Sequence, residues 1–147
     1  MFESQQVTIL LVEDDPGHAR LIEKNLRRSN IINDLIHVED GQQAVDFLFR
    51  EGPYEGRVHP ANLLVMLDLN MPVMDGYQVL ERIKGNEQTR RIPVIILTTT
   101  DDRREVTRCY DLGCNVYVTK PVDYEHFTEA IRNLGLFFSV VSVPKED

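Results

Sequence analysis

No stretch of this sequence approaches the roughly 20 consecutive apolar residues that a membrane-spanning helix needs. The opening Met1-Phe2-Glu3-Ser4 lacks the charged-then-apolar shape of a secretory signal. Basic residues are in deficit: 16 Lys and Arg against 24 Asp and Glu leave a formal net charge of −8. Such a surface would repel a phosphate backbone, so the sequence predicts a partner that is neither nucleic acid nor membrane. Cysteine is scarce. Cys109 and Cys114 have no metal-type partners nearby and read as free thiols of a cytoplasmic protein. The four histidines, His18, His37, His59 and His126, are scattered without the spacing of a metal site, which assigns them to surface or packing roles. What is present is ordinary for one globular domain: 147 residues, 42% hydrophobic and 27% charged, enough to bury a core.

Short apolar runs alternate with helical periodicity along the chain. Residues 7–12, 63–67, 94–97 and 116–118 are brief, rich in β-branched side chains and closed by polar or turn residues, and residues 35–38 form a weaker fifth candidate. Their near-continuous hydrophobicity predicts parallel strands covered on both faces. Between them, Ala19, Leu21, Ile22 and Leu26 form an apolar stripe after the start signal Asp15-Pro16, and Ala44, Val45, Leu48 and Phe49 form another after a capping Asp40. Further helices are predicted over about 74–84, after Asp101, and over about 124–134. Residues 51–62, with two Gly and two Pro, read as a loop, and 142–147 as a frayed tail. Five strands and five helices in alternation predict one α/β domain over 1–147, with a core of about 7–134 and an extended C-terminal helix and tail over 135–147.

The carboxylates gain meaning from their place beside the strands. Glu13 and Asp14 follow the first strand and Asp68 follows the third. Ligands of open parallel sheets bind beyond the carboxyl ends of strands, where strand order reverses, and an order of 2-1-3-4-5 would bring these three acids together. Three carboxylates in one space favour a bound cation, and an all-oxygen set without Cys or His suits Mg2+. The fourth strand ends at Thr98 and the fifth at Thr119-Lys120-Pro121, which adds a hydroxyl and an ammonium to the same edge. Carboxylate nucleophile, metal, hydroxyl and lysine are the parts that an aspartyl-phosphate site requires. The plainer alternative, in which each acid only caps a helix or ends a strand, stays open at this point.

With these residues in view, the chain resembles the receiver domains of two-component response regulators. The resemblance is carried by ILLVEDDP (9–16), LLVMLDLNMPVMDGYQVL (63–80), IPVIILTTT (92–100) and YVTKP (117–121). It implies a flavodoxin-like, doubly wound five-stranded parallel sheet of order 2-1-3-4-5 with five helices. Asp68 would be the phosphoacceptor and Asp14 a direct Mg2+ ligand, with Glu13 acting partly through water and Asn70 through its backbone carbonyl. Lys120 would bind the phosphoryl group, Thr98 would be the switch hydroxyl and Tyr117 the aromatic that turns with it, and the Lys120-Pro121 bond would be cis. The implied donor is a sensor histidine kinase. With no sequence for an output domain after the receiver, the signal would pass through protein contacts.

Softer features resemble the small regulators paired with bacterial phytochromes. These are the long 51–62 loop, the segment 109–113, and a C-terminal run through Phe137 and Phe138 to Val141. That last run holds more apolar surface than one helix stripe can bury, which predicts a homodimer through the fourth helix, fifth strand and fifth helix, with Tyr117, Phe137 and Phe138 as contact candidates. Three competing functions make other demands on the sequence. A flavin carrier would need a Ser/Thr/Gly phosphate loop where Glu13-Asp14-Asp15-Pro16 stands. An aspartate-nucleophile phosphatase would carry its nucleophile after the first strand. A degenerate receiver would lack some of Asp14, Asp68, Thr98 and Lys120, and all four are present.

Overall fold

In a computed structural model, the described residues are 7–28, 33–57, 60 and 62–120. Five parallel strands, β1 (Thr8–Val12), β2 (Leu35–Val38), β3 (Leu63–Asp68), β4 (Val94–Thr98) and β5 (Val116–Thr119), form one sheet in the order β2-β1-β3-β4-β5. Four helices alternate with them: α1 (Pro16–Arg28), α2 (Gly41–Phe49), α3 (Gly76–Lys84) and α4 (Arg103–Asp111). The expected fifth helix, the Lys120-Pro121 bond, Phe137 and Phe138 lie outside the described residues, wholly or in part.

The three inner strands β1, β3 and β4 are buried on both faces, yet the period of two survives in which core each residue joins. Leu10, Val12, Val65, Leu67 and Ile96 face one way, onto Val45 and Leu48 of α2 and Val79, Leu80 and Ile83 of α3. Ile9, Leu11, Leu64, Met66, Ile95 and Leu97 face the other way, onto Ala19, Ile22 and Leu26 of α1. Two covered faces explain why the sequence shows unbroken apolar runs where a one-sided sheet would alternate. Strand order reverses between β1 and β3, both of which are hydrogen-bonded along their full length, with Val12 opposite Leu67.

Several boundaries differ from the sequence reading. β3 continues through Asp68, which pairs with Leu97, and β4 continues through Thr98, which pairs with Thr119. The ladder uses only backbone groups, so it runs on past the last apolar side chain. Helix α3 starts at Gly76, not near Met74, because Asp75 and Gln78 close a capping box on its first turn. Leu21, expected in the buried stripe of α1, is 51% exposed; Asn25 is buried beside Ile22 and Leu26 instead. The Gly-Pro segment after α2 is not all loop: Gly52–Tyr54 makes a 3-10 turn, whose Tyr54 ring meets Phe47 edge-on at 5.2 Å.

Candidate functional site

The carboxyl ends of the strands deliver the acids together. One carboxylate oxygen from each of Glu13, Asp14 and Asp68 lies within 4.8 Å of the others. Glu13 is 1% exposed and Asp68 6%, whereas Asp14 faces solvent. The end of β1 is held from the β2 side, where the Glu13 N–H donates to the Val38 carbonyl (3.1 Å) and the His37 imidazole Nε2 meets the Glu13 carbonyl (2.7 Å). Asp15 then starts α1. Its Oδ1 accepts from the backbone N–H of Gly17 (2.8 Å) and of His18 (3.1 Å). The bond from His18 is the largest influence holding its carboxyl below the ordinary range; desolvation opposes it, and the Gly17 bond with the nearby His18 and Lys120 charges lowers it further.

Glycine fixes the next approach. A Cβ on Gly76 would come 2.6 Å from the Leu69 Cα and closer still to the Asp68 carbonyl oxygen, so only glycine lets α3 begin against the strand that carries Asp68. Between β3 and α3, the Met74 N–H donates to the Pro72 carbonyl (2.8 Å) around Val73, whose φ of 70° is strained for a β-branched residue.

Lys120 reaches Glu13 and Asp68, with its side chain 9% exposed. Its ammonium donates to Glu13 Oε1 in a close contact, lies 3.5 Å from Asp68 Oδ2 and donates to the Nδ1 of His18 at 3.3 Å. The other Asp68 oxygen accepts from the Asn70 backbone N–H at 3.2 Å. Burial pushes the Asp68 carboxyl up to about 6; the Lys120 charge pulls it down and the Glu13 carboxylate raises it further. An acid crowded by another acid, short of compensating charge, is the electrostatic signature of a place prepared for a cation. The donor set fits one. It holds three carboxylates and no thiolate or imidazole within that group, and such oxygens suit a hard divalent ion.

Thr98 is fully buried at the end of β4, and its Oγ1 accepts from the Asn70 side-chain amide at 3.3 Å. The side chain of Asn70, a residue expected to serve through its backbone carbonyl, links the loop after β3 to the Thr98 hydroxyl. Tyr117 packs against the α2–α3 side of the core, and its hydroxyl donates to the Thr100 carbonyl at 2.7 Å. Its hydroxyl is therefore bonded to protein, and burial pushes its ionisation up to about 12. Cys109 and Cys114 are free and buried, with burial raising their thiols to about 11 and about 12, which leaves them unreactive.

All of Glu13, Asp14, Asp68, Asn70, Thr98 and Lys120 therefore stand at one edge, as their strand-end positions predict. His18 was missed. Read as a scattered histidine, it sits four residues after Asp14 in the first turn of α1, and that spacing is the one signal in the sequence that it could face the site.

Comparisons with known proteins agree with this geometry. The family described as the response regulator receiver domain matches residues 9–132. The response regulator Rcp1 of Synechocystis is 38% identical over 137 residues, covering 92% of each chain. Among solved structures, a response regulator receiver domain from Rhodospirillum rubrum is 57% identical, covers 96% of this chain and 99% of its own, and superposes with a TM-score of 0.78. The bacteriophytochrome response regulator RtBRR is 41% identical, with 88% and 78% covered and a TM-score of 0.79. A sheet reversed between β1 and β3, an acid cluster at the reversal and a lysine brought in by β5 have one common source: this chain belongs to the receiver-domain family of response regulators.

Proposed function

We propose that the chain accepts a phosphoryl group on Asp68 from the phosphohistidine of a sensor kinase and relays the signal by contact with other proteins. The observation that carries this reading is the meeting of Glu13, Asp14 and Asp68 around the buried Lys120 ammonium. An Asp68 carboxylate oxygen attacks phosphorus in line. The new O–P bond forms as the P–N bond to the donor imidazole breaks, and the donor nitrogen keeps the electron pair and takes up a proton. Lys120 offsets charge on a phosphoryl oxygen as a compact point charge. A Mg2+ ion held by Asp14, Asp68 and the Asn70 carbonyl, with Glu13 partly through water, would neutralise further charge on the transferring group. The Thr98 hydroxyl donates to another phosphoryl oxygen once it releases the Asn70 amide, and Tyr117 moves with it. The output is a bias between two packings of the face formed by α4 and β5.

Kinship with bacteriophytochrome response regulators supports a phytochrome-type kinase as the donor, and such a donor implies a cytoplasmic site of action. Among the described residues, no helix is long and apolar enough to cross a membrane.

Labelled acetyl phosphate with Mg2+ tests the acceptor. The wild type should take up acid-stable, hydroxylamine-labile label that EDTA prevents, and Asp68→Asn should take up none. Label persisting in that variant would end the assignment. The homodimer, with Tyr117, Phe137 and Phe138 at its contact, predicts a concentration-dependent sedimentation coefficient that falls when both phenylalanines become serine. A monomer at every concentration, with or without phosphate, would remove it.

A further inference from the structure

The Lys120 ammonium carries three N–H donors, and the described residues offer it three acceptors: Glu13 Oε1, Asp68 Oδ2 at 3.5 Å and His18 Nδ1 at 3.3 Å. The third comes from α1, 102 residues away in sequence. A nitrogen that receives a hydrogen bond from an ammonium must offer a lone pair, so Nδ1 is bare and the ring proton sits on Nε2. The surroundings agree with that tautomer. The opposite edge of the ring places Nε2 3.9 Å from Asp15 Oδ2, an electrostatic contact longer than a hydrogen bond, while Asp15 Oδ1 is occupied by the first N–H groups of α1. Glu13 Oε2 lies 4.0 Å from Nδ1 and itself accepts from the Asp15 backbone N–H at 3.1 Å. An imidazole that served only to cover the start of a helix would have no reason to direct its acceptor nitrogen inward; here the helix start is already served by Asp15.

We infer that His18 is a positioning residue for Lys120: Asp15 orients the imidazole, and the bare Nδ1 aims the ammonium along the line to the Asp68 oxygen. The inference rests on the reading of Asp68 as the phosphoacceptor and Lys120 as its charge partner. A neutral acceptor suits the task. After transfer the ammonium must follow the phosphoryl oxygen, and a third carboxylate in place of the imidazole would compete for it with a full charge, whereas a neutral nitrogen fixes direction and leaves the charge free. Holding a catalytic group in one orientation contributes to rate without adding affinity for the donor.

The test measures labelling from acetyl phosphate with saturating Mg2+ for the wild type, His18→Ala, His18→Asn and His18→Gln. The maximal rate should fall about fivefold in His18→Ala, with the half-saturating donor concentration and the Mg2+ dissociation constant within about twofold of wild type. Asn, whose amide oxygen falls near the Nδ1 position, should restore most of the rate, and Gln should not. A wild-type rate in His18→Ala, an Asn variant as slow as Ala, or a loss of Mg2+ affinity parallel to the loss of rate would each overturn the inference. Nitrogen-15 NMR of the ring gives a second readout that needs no phosphorylation. At mildly alkaline pH, Nδ1 should be the unprotonated nitrogen in the wild type, and its signal should shift in Lys120→Met; a protonated Nδ1, or no shift, would also overturn it. Label that survives in Asp68→Asn would refute the acceptor assignment instead, and the NMR measurement would still decide the Lys120–His18 contact.

Discussion

Two lysines, one at each end of the sheet, have opposite surroundings: Lys84 is half-buried and Lys120 is buried. At the amino end, Lys84 of α3 donates to the carbonyls of Arg90 (3.1 Å) and Ile92 (2.7 Å) and reaches the Asn115 amide oxygen at 3.5 Å. All three are neutral, and burial lowers its ionisation from the ordinary lysine range. Lys84 is a strut that ties the loop between α3 and β4 to Asn115 just before β5. At the carboxyl end, Lys120 faces two carboxylates and one imidazole nitrogen. The difference teaches that a lysine withdrawn from solvent reports function through the charge of its partners, since both ammonium groups are held by three acceptors and only those of Lys120 include carboxylates.

Substitution should separate the two most sharply at Lys120. Lys120→Met should slow labelling from acetyl phosphate by about 100-fold or more, the scale of losing a charged group that acts in the transition state. Lys84→Met should stay within about twofold of the wild-type rate, and comparable losses in both would erase the contrast.

The acidic end also predicts a cost in stability when no metal is present. Asp68 is raised in the fold from 3.8 to about 6. A raised acid binds its proton more tightly when folded, so its contribution favours folding below 3.8 and is lost as pH rises through about 6. Removing the charge should therefore help at neutral pH. Asp68→Asn should gain on the order of 2–3 kcal/mol in metal-free urea unfolding at pH near 7. That gain should vanish below pH about 3.8, and Mg2+ should reduce it by stabilising the wild type more. A less stable Asn variant in EDTA would contradict the picture of a crowded acid.

The smallest effect belongs to the strut. Lys84→Met leaves the Arg90 and Ile92 carbonyls without their donor but also removes a desolvated charge, so a loss of about 1–2 kcal/mol in urea unfolding is expected. No loss would mean that water replaces the ammonium fully.

These contrasts show what the sequence could and could not express. The strands were readable because a sheet covered on both faces writes its burial as unbroken runs, such as Leu63–Leu67 and Val94–Leu97. The edge strand β2 was faint because Leu35 and Ile36 are only half-buried and His37 is exposed. Asp14, Asp68, Thr98 and Lys120 were readable because strand ends of a parallel sheet converge whatever lies between them. His18 was not, since its role depends on how a helix turn is rotated against a lysine delivered by another strand. Leu21 misled for a related reason: helical spacing gives a stripe but not its width, and Asn25 took the place beside Ile22. The Asn70–Thr98 contact joins side chains 28 residues apart and belongs to tertiary geometry alone.

The Tyr117 hydroxyl is anchored on the main chain of Thr100, not on its side chain. Every amino acid brings the same carbonyl, so the clasp tolerates any replacement at position 100 that keeps the local backbone path. Evolution is thereby free to retune the loop after β4 through that side chain while the link to the aromatic stays mechanically intact.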